Sequence, residues 1–194
     1  MAHAVADGPE DGRRLRGEKR RSAIIDATLA VITRDGAAGV THRTVAQQAG
    51  MTTSLSTYYF ATLDDLLVAA LTSVADAYTA RIRAIVVGGG DPLTGLAELI
   101  AETAGTGRDR ALAERELATL AARRPSLRPV ARRWREDVAE LAATLTDDPE
   151  AIAALVAASD GLCTAILLDN GSADVDHLRA VLQRAVGRTT RSTR

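Results

Sequence analysis

A chain of 194 residues can hold one sizeable core with a small extra unit, or two small cores. Apolar residues at 46% and charged residues at 25% are an ordinary globular balance; aromatics at 3% leave the core to Ala, Leu, Val and Ile, which with only 5 prolines favours an all-α fold. The single cysteine, Cys163, excludes an internal disulfide, and a formal net charge of −1 would by itself argue against a nucleic-acid partner.

Residues 1–17 contain Gly8, Pro9 and Gly12 and show no periodicity. They are expected to form a disordered, partly basic arm: a solvated tail, or a source of phosphate or minor-groove contacts from Arg13, Arg14 and Arg16. From Arg13 to Phe60 eight basic residues stand against three acidic ones, whereas the chain from Ala61 onward is net acidic. A basic N-terminal unit on an acidic body suits phosphate binding by one face only.

Helical periodicity begins near Glu18, with Ile24, Ala27, Thr28, Val31 and Ile32 on one stripe and Gly36 as its stop. Thr41 is an N-cap for a short second helix that buries Val45, Ala46 and Ala49. Gly50 supplies the turn, and Thr52 or Thr53 caps a third short helix ending near Phe60. A long helix follows from Asp64, whose carboxylate and that of Asp65 suit the positive end of the helix dipole. Gly88, Gly89, Gly90, Asp91 and Pro92 form a linker; no Lys-Ser/Thr follows to make a phosphate loop. Later helices are expected at 93–104, 108–124, 126–145, 149–168 and 174–186, nine in all. The expected domains are a helix-turn-helix unit over 18–63, a helical body over 64–188 and a tail over 189–194.

Two short helices joined by a tight glycine turn are the helix-turn-helix arrangement. Its second helix carries short hydroxyls suited to phosphates and base edges. The segment Arg20 to Leu67 resembles the DNA-binding domain of the TetR family: it has Arg34-Asp35-Gly36, then Thr41-x-x-Thr44-Val45-Ala46, the Ala49-Gly50 turn, and Tyr58-Tyr59-Phe60 before the two-acid, two-leucine helix start. Two positions depart from the family pattern, which most often has Leu-Tyr where Ser56 and Thr57 stand and often a phosphate-touching Lys where Leu63 stands.

The resemblance implies a cytoplasmic, ligand-responsive regulator that binds a palindromic double-stranded DNA operator as a homodimer and is released by a small-molecule effector. Thr41, Arg43, Thr44, Thr52 and Thr53 would hold phosphates, and Ser54, Thr57 and Tyr58 would face the groove. Tyr59 and Phe60 would anchor the core, and His42 would be a solvated or phosphate-side group. The helices at 149–168 and 174–186 would form the dimer contact, because the first is apolar around most of its circumference. Candidate effector-cavity residues are Tyr78, Thr103, Glu116, Leu120, Trp134, Leu141, Asp160 and Cys163, a set suited to an apolar or amphipathic molecule.

Two other classes stay open at this stage. An all-α enzyme is disfavoured, since His3, His42 and His177 share no ligand spacing with Cys163 and no HExxH or GxSxG motif occurs. A helical partner-binding protein with a degenerate helix-turn-helix is the other. No cofactor or metal site is expected, nor any run of about 18 apolar residues able to span a bilayer, nor an N-terminal signal core.

Overall fold

The computed structural model describes residues 9–169 and 172–187, with backbone only for 9–11. All regular structure among the described residues is helical. The chain divides into two compact units, Met1–Ala70 and Leu71–Arg194. The partition falls two turns into α4 (Leu63–Val87), not at its start.

The first unit holds α1 (Pro9–Asp35), α2 (His42–Gln48), α3 (Thr53–Tyr59) and the first turns of α4. The expectation of a disordered arm over 1–17 is corrected for its second half, because α1 already starts at Pro9. Proline suits a first helical turn, where its missing N–H has no intrahelical partner anyway. Further along, Arg14 and Glu18 pair across one turn at 2.8 Å. Residues 1–8 of that arm, and the tail at 189–194, lie outside the described residues.

Local chemistry sets the boundaries of the two short helices. The Thr41 hydroxyl accepts the Thr44 N–H, and the Thr44 hydroxyl accepts the Thr41 N–H, a reciprocal capping box. Gly50 turns the chain at φ 64°, a conformation that a side chain disfavours. Thr52 then caps α3 by accepting the Leu55 N–H. The core of this unit is aliphatic, with Ile24, Val31, Ile32, Val45 and Leu66 fully buried and Phe60 nearly so.

The second unit continues α4 and adds α5 (Pro92–Ala101), α6 (Arg108–Leu120), α7 (Arg128–Ala131), α8 (Arg133–Ala143), α9 (Pro149–Asp169) and α10 (Val175–Ala185). The single helix expected over 126–145 is instead a 3-10 turn, α7 and α8. Pro129 cannot donate to a preceding turn, so helix can only begin afresh at Arg128. That makes ten α-helices among the described residues where nine were expected. The core is built where α10 packs on α5 and α9, and α9 on α5, α6 and α8. Leu93, Leu96, Leu141, Leu155 and Leu182 are fully buried in it.

The expectation that no segment could span a bilayer is corrected too. By length and composition α9 is long and apolar enough to do so, since Asp160 is the one charge between Glu150 and Asp169. Its four helix neighbours make it a body helix of this unit, and its hydroxyl and carboxylate groups at Ser159, Asp160 and Thr164 fall at mid-length.

Candidate DNA-reading surface and effector pocket

The helix-turn-helix is locked from inside. Ser56, on α3, is fully buried and its Oγ lies 3.0 Å from the Nδ1 of His42, on α2. His42 is therefore half-buried and tied to α3 through Nδ1 rather than fully solvated. Ser56 was not anticipated as an inward residue. The signal was present in spacing: Ser56 lies four residues before Phe60, so the two share one helix face. A second tie runs from the Arg34 guanidinium to the Gln48 side-chain oxygen at 2.8 Å, joining the end of α1 to the end of α2.

What remains outward is the expected reading face. Thr52, Thr53, Ser54, Thr57 and Tyr58 are all exposed, Tyr58 at 80%. Tyr58 meets Tyr59 edge to face at 5.2 Å, and the half-buried Tyr59 thereby steadies its neighbour. Thr41 and Arg43 are exposed at the start of α2. Thr44 differs from the other expected contacts: its hydroxyl donates to the Gly39 carbonyl at 2.9 Å while serving the capping box. Phe60 is buried beneath the guanidinium of Arg21, which sits 4.9 Å from the ring centre.

The second unit contains a small, nearly filled pocket of about 20 Å³ between α4, α5, α6, α8 and α9. Tyr78, Thr103, Trp134 and Cys163 line it, so four of the eight candidate cavity residues converge there. Tyr78 and Trp134 meet edge to face at 5.2 Å. Asp160 stands behind the aromatic wall: it accepts the Trp134 indole N–H at 3.0 Å and the Arg135 guanidinium at 3.0 Å. Glu116 and Leu120 are not among the lining residues, and Leu141 is a fully buried core residue that borders a separate groove with Ile82, Val86 and Val87.

The acidic group of the pocket is Glu114, not the expected Glu116. The spacing identifies it, because Ala111, Glu114 and Leu117 recur every three residues on the inward stripe of α6. Burial pushes the Glu114 carboxyl above the ordinary range; the Asp160 charge adds to this, and Arg115 opposes it. Burial likewise raises the Tyr78 phenol and pushes the Cys163 thiol up to about 12, so Cys163 is a packing group at neutral pH. The Nε of Arg115 is buried with no hydrogen-bond partner among the described residues. No cluster of three His, Cys, Asp or Glu able to hold a metal is found among the described residues.

Comparison with known proteins places both units. Residues 88–190 match the family described as tetracyclin repressor-like, C-terminal domain. A TetR-family structure from Streptomyces coelicolor A3 (SCO1917) superposes with a TM-score of 0.77 at 42% identity, covering 86% of this chain and 97% of that one. The multidrug binding protein EbrR, solved with ethidium, gives a TM-score of 0.72 at 41% identity, covering 86% and 97%. The HTH-type transcriptional regulator PksA of Bacillus subtilis is 40% identical over 70 residues, 36% of this chain; the match spans about a third of PksA (34%). The hydroxyl-faced helix-turn-helix and the helical body with its internal pocket thus belong together, and the chain is a member of the TetR family of transcriptional regulators.

Proposed function

We propose that the protein is a repressor that binds a palindromic operator as a homodimer and leaves it when an aromatic cation wedges between Tyr78 and Trp134, widening a pocket that has room for about one water. The observation that carries the reading is the outward face of α3 and its N-cap: five polar or phenolic side chains, Thr52 among them, are exposed on a helix whose inner face is fixed by the His42–Ser56 bond. That is the chemistry of a major-groove reader, with hydroxyls for phosphates and base edges and a phenol for a thymine methyl or base edge.

The effector class is supported by the pocket and by a relative. A desolvated carboxylate beside two aromatic rings favours a cation with an aromatic body, which Glu114 would neutralise and Tyr78 and Trp134 would stack against. EbrR has been solved with ethidium, proflavin and malachite green, all aromatic cations. Release follows from linkage: the effector needs only to bind the DNA-incompetent state more tightly than the competent one. Tyr78 belongs to α4, the helix whose first turns lie in the DNA-reading unit, so α4 is the proposed route of coupling.

Dimerisation through α9 and α10 is supported by surface chemistry. Ala153, Ala154, Ala157, Gly161, Ala165 and Leu168 of α9 are exposed and carry no charge, a face that close helix packing would bury. Two such protomers would set their reading helices about 34 Å apart, one turn of cytoplasmic operator DNA.

The test is footprinting of the purified chain on the DNA flanking its own gene, with ethidium titrated in, alongside sedimentation. A symmetric footprint from a dimer that fades as ethidium binds supports the proposal. A monomer, or a footprint unchanged by saturating ethidium, refutes the corresponding part.

A further inference from the structure

The reading helix is electrically neutral. α3 consists of Thr53, Ser54, Leu55, Ser56, Thr57, Tyr58 and Tyr59, and α2 adds one arginine, Arg43. Affinity for duplex DNA comes largely from cations that displace condensed counterions. The cations of this unit are concentrated elsewhere: Arg13, Arg14, Arg16, Lys19, Arg20 and Arg21, all exposed, stand on the N-terminal half of α1 with Glu18 as the one acid among them.

The geometry puts part of that charge beside the reading helix. At Gly17 a Cβ would lie 3.7 Å from the Tyr59 hydroxyl, and Arg21 covers Phe60, so this side of α1 passes the end of α3. At roughly 100° per residue, Arg13 and Arg20 point within about 60° of the Gly17 direction, and Arg16 about 100° from it. Arg14 is engaged by Glu18, whereas Arg13, Arg16 and Arg20 meet no carboxylate among the described side chains. They recur at i, i+3 and i+7, a single stripe about 10 Å long, which matches about three successive phosphates of one strand.

We propose that the helical extension of α1 forms a phosphate-tracking stripe, Arg13, Arg16 and Arg20, which supplies most of the electrostatic hold on DNA while α3 supplies the sequence reading. The inference rests on the DNA-binding function proposed above, and it assigns to α1 a role that the helix-turn-helix does not perform. Because the stripe touches phosphates and not bases, it strengthens operator and non-operator binding alike.

The experiment compares the full chain with R13A/R16A/R20A and with R13K/R16K/R20K. Affinity for operator and for unrelated duplex is measured between 50 and 300 mM salt. The alanine variant is expected to bind both duplexes at least about tenfold more weakly near physiological salt. Its slope of log affinity against log salt should be shallower by about 2–5, at about 0.9 per lost phosphate contact in a dimer, with the operator-to-unrelated ratio unchanged. The lysine variant, which keeps the point charges, should retain most of the slope. An alanine variant with the wild-type slope overturns the inference, as does a selective loss on the operator or on A·T-rich flanks. A wild-type chain that ignores duplex DNA at low salt overturns the DNA-binding function itself, and is told apart because no variant is then needed.

Discussion

His42 Nδ1 and Ser56 Oγ face each other at 3.0 Å across the two helices of the helix-turn-helix, and Ser56 has no solvent exposure. A buried hydroxyl deprived of its partner costs its desolvation, about 1–3 kcal/mol. His42→Ala is therefore expected to lower the melting midpoint, at roughly 2–4 °C per kcal/mol for a chain of this size. Ser56→Ala removes the buried hydroxyl together with the bond, so its loss should be smaller than that of His42→Ala. Calorimetry of the two variants checks this order. Equal and negligible shifts would show that the bond does not hold α2 to α3.

Tyr58 is exposed at 80% and its ring meets that of Tyr59 by an edge contact. Tyr58→Ala should leave the melting midpoint within about 1 °C, as exposed substitutions do, each within about 0.5 kcal/mol. Operator affinity should fall by about 5- to 150-fold, the range of one base-reading contact, with little change on unrelated duplex. This is the opposite signature to that of the α1 stripe, so binding titrations on the two duplexes separate reading from holding.

The contrast between these two residues explains how far the sequence could be read. Thr41, Gly50 and Thr52 were legible because caps and a left-handed turn are local: each is set by backbone groups within a few residues. The outward set at Thr52, Thr53, Ser54, Thr57 and Tyr58 followed from the same register. Ser56 carried only the spacing signal, four residues before Phe60: a serine in a polar stretch adds no apolar signal, and its partner is 14 residues away. Glu114 failed for a related reason. Its position on the Ala111–Leu117 stripe was readable, but a carboxylate there conflicts with the usual rule that inward positions are apolar. The break before α8 is set by Pro129, through which the expected helix over 126–145 ran, and the early start of α1 by Pro9, which stood in the expected arm although proline also opens helices.

Asp160 supports the aromatic wall, and Trp134 is the only tryptophan in the chain, so its fluorescence reports on this contact directly. Asp160→Leu leaves the indole N–H unpaired and removes the carboxylate 3.9 Å from Arg115, whose Nε already has no partner among the described residues. The expected loss is about 1–3 kcal/mol, since Arg135 at the rim is well exposed and contributes little. Asp160→Asn retains an acceptor for the indole and should cost less than half as much. Urea unfolding followed by tryptophan emission measures both. The ordering Asn above Leu is the critical outcome, because charge loss alone would make the two equal.

Glu114 couples the pocket to pH, and the sign can be worked out. Burial raises its carboxyl above the ordinary value of 4.5, so the folded protein holds that proton more tightly than the unfolded chain does. The fold is then least burdened below about pH 4.5 and loses stability as pH rises through the raised range, where the buried group must ionise. Glu114→Gln cannot ionise. It should melt above the wild type at pH 7–8, with the difference shrinking as pH falls and vanishing in acid. An aromatic cation reverses the preference by stabilising the ionised carboxylate. Ethidium affinity of the wild type should therefore rise with pH across that same range, while the glutamine variant binds more weakly and with a flat profile. A neutral molecule of similar shape should show neither the loss nor the slope. If ethidium bound both proteins alike at every pH, Glu114 would have no part in recognising charge, although the melting comparison would still report its burial.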